Sequence, residues 1–356
     1  MIQAFAGATA DELWREVVDG FADEHASDIH QGRGGETKEM LHVSLTLDNP
    51  QQRWVLSRRP ALNVAFAIAE VIWIVSGRND SDFLTYWNRR LPEFVGNGPT
   101  LHGAYGHRLR HHFQIDQLER AYSALYRNPD SRQVVLQIWD SEVDFPALDG
   151  SPSDPDVPCN VLSLVKARRG KLEWMQVMRS NDVFLGLPHN IVQFTCLQEI
   201  LAGWLGMEVG SYNQLSDSLH IYQRDLHNVF SRTPAADIRN DDSLMLPKQE
   251  SQKAFAELEK RTGTAMLHDL KERQLIQLLT WQYGPPSLKN MLSILLAESA
   301  RRRGWHDAQT LAEESCGNPA FLTLWHSWYR RVTGANETAV DGAQENLGLA
   351  ESTRLV

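Results

Sequence analysis

The chain has 356 residues, of which 42% are hydrophobic and 22% are charged, and this composition excludes a chain that is mainly disordered. Its 45 acidic residues outnumber its 35 lysines and arginines, which gives a net charge of −10 and argues against nucleic acid or an anionic membrane as a partner. The three cysteines have no close spacing. They predict a reducing, cytoplasmic setting without a disulfide framework or a metal site.

The first two thirds of the chain mix helix and strand patterns. Residues 8–24 predict a helix with Thr9 as its N-cap, and the alternation over 40–47 predicts a strand. Residues 61–76 predict a buried helix that carries one carboxylate, Glu70. The later elements are predicted as a helix over 116–126, a short buried strand over 134–139, a loop over 141–157, a hairpin of 161–167 and 171–178, a helix over 191–205 and a strand over 209–215.

Three regions differ in composition. Residues 1–230 have the mixed patterns of an α/β (α+β) domain, and residues 231–335 predict a helical extension with four helix-like runs. Residues 336–356 are small and polar, which predicts a disordered tail. The organisation is therefore one catalytic domain with appended C-terminal helices.

Cys159 is the candidate nucleophile. It follows Pro158 at the end of the polar loop and precedes the hairpin, where a turn can present a side chain instead of burying it. A thiol attacks at neutral pH when a neighbouring cation lowers its pKa, and the candidates are Arg132, Arg179 and His220. The alternative interpretation is a small buried hydrophobic residue.

The segment 179–190 places several polar groups between a strand and a helix. Arg179 and Ser180 could hold a phosphate, and Asn190 offers one donor and one acceptor to a planar amide. The alternative is a turn with an Asp or Asn cap.

Two further groups of polar residues allow two interpretations each. His220 and Tyr222, two apart on an extended segment, point the same way and could reach a ribose hydroxyl, or they are ordinary buried polar side chains. The basic residues of 107–112 suggest a metal or nucleic-acid site, but without acidic or cysteine neighbours they favour a solvated basic face.

Six segments together carry a family resemblance. They are AEVIWIVSG at 69–77, AYG at 104–106, SRQVVLQIW at 131–139, PCN at 158–160, RSNDVFLGLPHN at 179–190 and SLHIY at 218–222. In this order they resemble the thymidylate synthase family, whose Arg-Ser-x-Asp-(Val/Met)-x-Leu-Gly-x-Pro-x-Asn segment is closely matched by the fifth. The resemblance covers about residues 30–230 and implies a mixed sheet with packed helices.

The resemblance also implies a reaction. Cys159 would add to C6 of a pyrimidine nucleotide, and C5 would then attack the methylene carbon of 5,10-methylenetetrahydrofolate. Glu70 would organise proton transfer, Tyr105 would help to remove the C5 proton, and Asp182 would complete the catalytic group. The implied binding residues are Arg179, Ser180 and the partner subunit's Arg132 for phosphate, Asn190 for the base, His220 and Tyr222 for the sugar, and Asp182 and Gly186 for the folate. The protein would be a homodimer with shared active sites.

The chain departs from the family pattern at the phosphate site and beside the nucleophile. Most members have two consecutive arginines where this chain has Arg132 and Gln133. One phosphate contact is therefore missing or supplied by another arginine. The candidate substitutes are Arg33, Arg58 and Arg59. Asn160 replaces the usual His after the nucleophile, which alters the water network around the base.

The product is the last open point. In the family, the exocyclic methylene intermediate takes a hydride to give a methyl group or water to give a hydroxymethyl group. LPEFVGN at 91–97 stands where reducing members carry shielding tryptophans, and the short apolar C-terminus of those members is missing, so hydroxymethylation is favoured. Asn190 favours uracil, with CMP and dCMP as further candidates. The alternatives are reductive methylation of dUMP to dTMP, a non-catalytic nucleotide-binding homologue, and a papain-like hydrolase using Cys159 and His220, whose local signature is absent.

Overall fold

One mixed sheet is the frame of the molecule, seen in a computed structural model that describes residues 2–23, 26–32, 34–233 and 237–334. Its strands are β1 (Gln3–Gly7), β2 (Asp28–Gly32), β3 (Gly35–Leu47), β4 (Val135–Gln137), β5 (Asn160–Arg168), β6 (Lys171–Met178), β7 (Asn181–Asp182) and β8 (Glu208–Tyr222). The strand order is β1-β3-β8-β6-β5-β4, with β2 on β3 and β7 on β8. The β1–β3, β6–β8 and β7–β8 pairs are parallel and the others antiparallel, which confirms the predicted mixed sheet.

Helices pack around this sheet and continue beyond it. In the described residues they are α1 (Ala10–Gly20), α2 (Val64–Val75), α3 (Ser81–Trp87), α4 (Pro92–Val95), α5 (Tyr105–His107), α6 (Gln117–Arg127), α7 (Ser141–Asp144), α8 (Leu187–Leu205), α9 (Leu226–Phe230), α10 (Lys248–Met266), α11 (Glu272–Leu278), α12 (Pro286–Arg303), α13 (His306–Glu314) and α14 (Pro319–Thr333). The extension was expected to hold four helical runs. Its described residues, 231–233 and 237–334, hold five helices, α10–α14, because short turns divide its apolar pattern more often than periodicity indicates.

Two strands, β3 and β8, are longer in the structure than the sequence pattern predicts, whereas the start of α1 is capped as predicted. Thr9 caps α1 as predicted, and its hydroxyl accepts the Glu12 N–H at 3.1 Å. The strand predicted over 40–47 is the second half of β3, and the one predicted over 209–215 is the first half of β8. Both strands continue because they pair with each other along the sheet, as far as the register of Thr37 with Tyr222.

The β5–β6 hairpin is confirmed. Arg169 and Gly170 form its two-residue turn with φ of 52° and 77°, the left-handed conformation that suits the twist of a tight hairpin. The strand predicted over 134–139 is shorter and only partly buried. Val135 is 46% exposed because β4 is an edge strand that pairs with β5 alone. The predicted loop over 141–157 begins with the short helix α7.

Helix α2 lies in the middle of the helical layer. Ten of its twelve residues are buried, and the Asn63 side chain caps it by accepting the Phe66 N–H. It packs against α8 and also against three helices of the C-terminal part of the chain, α10, α12 and α14. Its nearly continuous apolar sequence follows from these neighbours, and Glu70 is the one charged side chain that it carries.

The C-terminal helices are tied to the rest of the chain by a polar cluster. Asn318 donates to Asn240 Oδ1 at 2.6 Å and to Asp242 Oδ2 at 2.7 Å, and Asn290 also donates to Asp242. None of the helices in the described residues combines the length and apolar character needed to span a bilayer. The domain boundary at residue 230 and the cytoplasmic location stay predictions. The tail predicted over 336–356 lies outside the described residues.

Candidate active site

Cys159 lies at the junction of two central strands. It immediately precedes β5, and its carbonyl accepts the backbone N–H of Arg179, just after β6, at 3.0 Å. The side chain is half-buried, whereas Cys196 and Cys316 are buried. The position therefore matches a presented side chain better than a small buried hydrophobic residue.

Arg179 forms hydrogen bonds with the loop that carries Cys159. Its Nε donates to the Pro158 carbonyl at 2.9 Å and one terminal nitrogen donates to the Val157 carbonyl at 3.0 Å. Its other terminal nitrogen makes no hydrogen bond with the described residues. A cation is thus held beside Cys159, with one donor left for an anionic ligand.

The Tyr105 hydroxyl lies where the predicted catalytic groups converge. Burial raises the pKa of Tyr105 strongly, the nearby Cys159 thiol and the Asp156 and Glu70 carboxylates raise it further, and the Asn160 amide opposes the shift. Tyr105 consequently keeps its proton at neutral pH and acts as a hydrogen-bond donor. The structure thus brings Cys159, Tyr105 and Glu70 together, from a strand end and two helices.

Glu70 has a partner that the sequence did not indicate. His189, in the first turn of α8, places Nδ1 2.6 Å from Glu70 Oε2. The Phe66 ring, one turn before Glu70 on α2, meets the His189 ring edge-on with centroids 5.3 Å apart. Since Phe66 and Glu70 lie on the same face of α2, both fix the orientation of the imidazole.

Asn190 is buried at the start of α8. Its Nδ2 donates to Gln193 Oε1 at 3.1 Å, and its backbone N–H bonds to the Gly186 carbonyl. No described residue donates to Asn190 Oδ1. The amide therefore offers an acceptor, with its donor end shared with Gln193.

Asp182 and His220 are paired across β7 and β8. Asp182 Oδ1 accepts the backbone N–H groups of Phe184 and Leu185 at 2.7 and 2.8 Å. Burial raises the pKa of Asp182, although these two hydrogen bonds and the nearby His220 act in the opposite direction. Burial lowers the pKa of His220, although the carboxylates of Asp182 and Glu39 act to raise it. The two residues thus form one electrostatic unit.

The remaining predicted binding residues border this unit. The Tyr222 and His220 rings are 5.3 Å apart, so both lie on the same side of β8 as predicted. Ser180 is half-buried between β6 and β7. A Cβ at Gly186 would approach Asn181 Oδ1 to 3.0 Å, so the tight turn before α8 favours glycine.

The arginines proposed for phosphate differ in their surroundings. Arg132 is exposed and forms no ion pair with any described residue, and Arg33 lies outside the described residues. Arg58 is buried, donates to the Phe184 carbonyl at 2.9 Å and stacks 4.0 Å from that ring, and burial lowers its pKa to about 10. Arg59 donates to two backbone carbonyls of its own loop. Arg58 and Arg59 are therefore engaged in shaping the chain.

The prediction that residues 107–112 form a solvated basic face is wrong for Arg108. This side chain is 1% exposed and pairs with Asp144 at 2.9 Å, while His102 contacts the same carboxylate at 2.7 Å. The region forms a short π-helical turn after α5 that directs Arg108 inward. The described residues contain no cluster of three or more His, Cys, Asp or Glu suited to a metal ion.

Asp156 is a second group that the sequence did not single out. It stands three residues before Cys159, accepts the Gly103 N–H at 2.8 Å, and burial raises its pKa to about 6. An open cavity of about 480 Å³ lies between residues 92–96 and 152–155, next to this loop. The segment expected to lack shielding tryptophans thus borders an open space.

The comparisons with known proteins agree with this geometry. The family described as thymidylate synthase matches residues 13–262, which is more than half of the chain. The chain belongs to the thymidylate synthase family. The match extends beyond the predicted boundary at residue 230 and into α10.

Individual relatives of this thymidylate synthase family member have two different names. A deoxyuridylate hydroxymethyltransferase of Bacillus phage SP01 is 34% identical over 233 residues, 62% of this chain and 59% of the relative. One of Pseudomonas phage M6 is 35% identical, over 53% of this chain and 52% of the relative. A thymidylate synthase of Clostridium beijerinckii is 30% identical, over 47% and 61%. The chain therefore spans between half and two thirds of each of these relatives.

Proposed function

We propose that this protein transfers a one-carbon unit from 5,10-methylenetetrahydrofolate to C5 of a pyrimidine nucleotide through a covalent adduct with Cys159. The observation that carries the proposal is that the segment of Tyr105 joins the other two groups. Gly103 donates its N–H to Asp156 in the loop that leads to Cys159, and α5, which begins at Tyr105, packs against α2, which carries Glu70. Cys159 and Glu70 also both act on the Tyr105 hydroxyl. A nucleophile, a protonated phenol and a carboxylate are the groups that this chemistry needs within reach of one ring.

The residues support the covalent step as follows. The Cys159 thiolate bonds to C6 of the pyrimidine, and the electron pair moves through C5 to the C4 oxygen. Arg179, held against the loop at Pro158, favours the thiolate by its charge. C5 becomes a nucleophile and bonds to the incoming methylene carbon. The C5 proton then passes to the Glu70 carboxylate, and the bond between the methylene carbon and the tetrahydrofolate nitrogen breaks with its electron pair left on nitrogen, which leaves an exocyclic methylene group on C5.

The folate donor fits the residues assigned to it. When bound, 5,10-methylenetetrahydrofolate supplies the methylene carbon. Asp182 uses Oδ1 for two backbone N–H groups, which leaves Oδ2 to accept from the N–H groups of a pterin. Gly186 keeps the adjoining turn close enough for this approach.

Hydroxymethylation is the product that we favour. The two phage relatives are named deoxyuridylate hydroxymethyltransferases. The segment 92–96, where shielding tryptophans are missing, borders an open cavity. Access of water to the exocyclic methylene group favours addition of water over hydride transfer.

The base that we favour is uracil. With Asn190 Nδ2 shared with Gln193, Asn190 Oδ1 is the end that meets the N3–H of uracil, whereas the N3 of cytosine is itself an acceptor. His220 and Tyr222 are proposed to bind the sugar, and Arg179 and Ser180 the phosphate.

We propose a homodimer with shared active sites, and the support is an apolar surface on the outer face of the sheet. Apolar side chains form two rows across neighbouring strands on this half-exposed face. The rows are Val135, Leu164 and Met175, and Leu162, Val177 and Leu215. A second copy would cover them. Arg132, exposed at the end of this sheet, is proposed to reach the phosphate in the neighbouring subunit.

Reductive methylation of dUMP is the second candidate, supported by the thymidylate synthase of Clostridium beijerinckii among the relatives. Mass analysis of products from UMP, dUMP, CMP and dCMP, each incubated with methylenetetrahydrofolate, decides between the two. We expect a 5-hydroxymethyl uracil nucleotide. A methyl product would establish the second candidate, and unchanged nucleotides throughout would contradict one-carbon transfer.

A further inference from the structure

Water is a weak nucleophile, and the proposed hydroxymethylation needs a base for it. Glu70 is already assigned to the removal of the C5 proton, with the Tyr105 hydroxyl as a hydrogen-bond donor beside it. His189 is the titratable group beside them that the reaction has not yet used, and nothing in the matched family segment assigns it, because that segment leaves the position before Asn190 open.

The geometry around His189 is that of an oriented imidazole. Nδ1 contacts the Glu70 carboxylate at 2.6 Å, and the Phe66 ring supports the imidazole from the same face of α2. A carboxylate at Nδ1 holds the proton on that nitrogen and leaves a lone pair on Nε2. No described residue hydrogen-bonds to Nε2, so this atom is available to a molecule in the site.

The position of His189 also suits the reacting carbon. Its neighbour Asn190 is assigned to the N3 and O4 edge of the base, and C5 is the ring atom next to C4. The group that grows on C5 therefore lies on the side of the ring toward the start of α8. The His189 side chain is 17% exposed and Glu70 is 16% exposed, so both are accessible to a small molecule while mostly removed from bulk solvent.

We propose that His189, oriented by Glu70, is the general base for the water that attacks the exocyclic methylene carbon, an inference that rests on the proposed function. The water oxygen bonds to the methylene carbon and gives one proton to Nε2, while the electron pair of the exocyclic double bond moves to the C4 oxygen. The enolate then reforms the C4 carbonyl and the C5–C6 double bond, and the Cys159 thiolate leaves C6. No redox partner is needed.

The test separates the water step from the steps before it. Tritium release from [5-³H]dUMP reports formation of the methylene intermediate, and 5-hydroxymethyl product reports the addition of water. His189→Phe removes the base, and His189→Asn keeps a donor toward Glu70 without a basic nitrogen. We expect the ratio of product to released tritium to fall about 100-fold in both variants, which is the size typical of a lost general base. His326→Phe, on the exposed part of α14, is the matched control and should keep the wild-type ratio.

Each other outcome has a defined meaning. A wild-type ratio in His189→Asn would overturn the base role, as would a parallel loss of tritium release and product, which places His189 before the water step. A wild-type protein that releases tritium and makes only the methyl product would overturn both the base role and hydroxymethylation. A wild-type protein that releases no tritium would instead contradict the proposed one-carbon transfer itself.

Discussion

Gln176 donates its side-chain N–H to Asn160 Oδ1 at 2.9 Å, and this bond decides which end of the Asn160 amide faces Tyr105. The Gln176 amide is itself fixed, because Ser163 and Trp174 both donate to its Oε1, at 2.6 and 3.1 Å. Asn160 Nδ2 is buried without a hydrogen-bond partner among the described residues, and the Asn160 amide lies close enough to Tyr105 to oppose the rise in its pKa. Asn160 thus presents a donor beside the nucleophile, where most family members have His.

Replacing Gln176 with Leu should destabilise the protein. The change leaves three buried polar groups, on Ser163, Trp174 and Asn160, without their partner, and we expect the free energy of unfolding to fall by about 1 to 3 kcal/mol. Urea denaturation measures this. Gln282→Leu, at an exposed position, should change it by less than about 0.5 kcal/mol. Equal stability of the Gln176 variant and the wild type would show that the hydrogen bonds of Gln176 do not contribute to the free energy of unfolding.

Cys159→Ser should abolish product formation and leave the fold intact. A neutral hydroxyl is a much poorer nucleophile than a thiolate unless a strong base lies next to it. Product assays, combined with circular dichroism, test this. Cys316→Ser, at a buried cysteine far along the chain, is the control and should stay active. Turnover in the Cys159 variant would exclude the covalent mechanism.

Mixing two inactive variants should restore activity if the sites are shared. Arg132→Ala lacks the phosphate contact that it gives to the neighbouring site, and Cys159→Ser lacks the nucleophile. A heterodimer of the two contains one site with both residues, so unfolding and refolding an equal mixture should give about one quarter of wild-type activity. Either variant refolded alone is the control. No recovery in the mixture, with dimers confirmed by sedimentation, would contradict a shared site.

The stability of the protein should depend on pH through Asp156. Burial raises the pKa of Asp156 from 3.8 to about 6, so the native state binds this proton more tightly than the unfolded state. The stability contributed by the protonated carboxyl is therefore complete below pH 3.8 and is lost as the pH rises through about 6.

Asp156→Asn should accordingly be more stable than the wild type at neutral pH, by about 1 to 3 kcal/mol, and this advantage should shrink near pH 4. The Asn oxygen can still accept the Gly103 N–H. Chemical denaturation at both pH values measures the difference, with exposed Asp130→Asn as control. A constant difference between the two pH values would contradict the raised pKa.

Asn190 should decide the base. Wild-type protein should process dUMP faster than dCMP by roughly ten- to a hundred-fold, because a mismatched edge leaves one buried polar group unpaired. Asn190→Asp should weaken or reverse this preference, since a protonated carboxyl matches the acceptor N3 of cytosine. Direct competition between the two nucleotides measures it, with exposed Asn128→Asp as control. A cytosine preference in the wild type would show that the amide does not select uracil.

The elements with strong local patterns were predictable. The Thr9 cap, the β5–β6 hairpin and the apolar helix around Glu70 follow from periodicity and turn chemistry. The ends of β3 and β8 were not, because the pairing of two strands far apart in sequence extends both of them. Arg108 was misread because its partner Asp144 ends helix α7, 36 residues further along the chain, and no local sequence pattern predicts that ion pair.

The predicted site residues came mainly from motif resemblance, and their convergence around Tyr105 is a tertiary property. His189 was within a recognised segment, yet its contact with Glu70 joins two helices that are distant in the chain. The role of Gln176 could have been predicted from the alternation of residues along β6. It shares the inward face of β6 with Trp174 and Met178, and a polar residue at a buried position of a strand needs partners.

The surroundings of α2 bear on how the protein folds. This helix packs against α8 and also against α10, α12 and α14, and ten of its twelve residues are buried, so a chain cut after residue 230 would expose part of its apolar surface to water. Glu70 would then lie on a helix that has lost three of the helices that pack against it. Residue 230 would mark a change of composition within a single cooperative unit, and the reaction centre could not be isolated from the C-terminal helices by truncation.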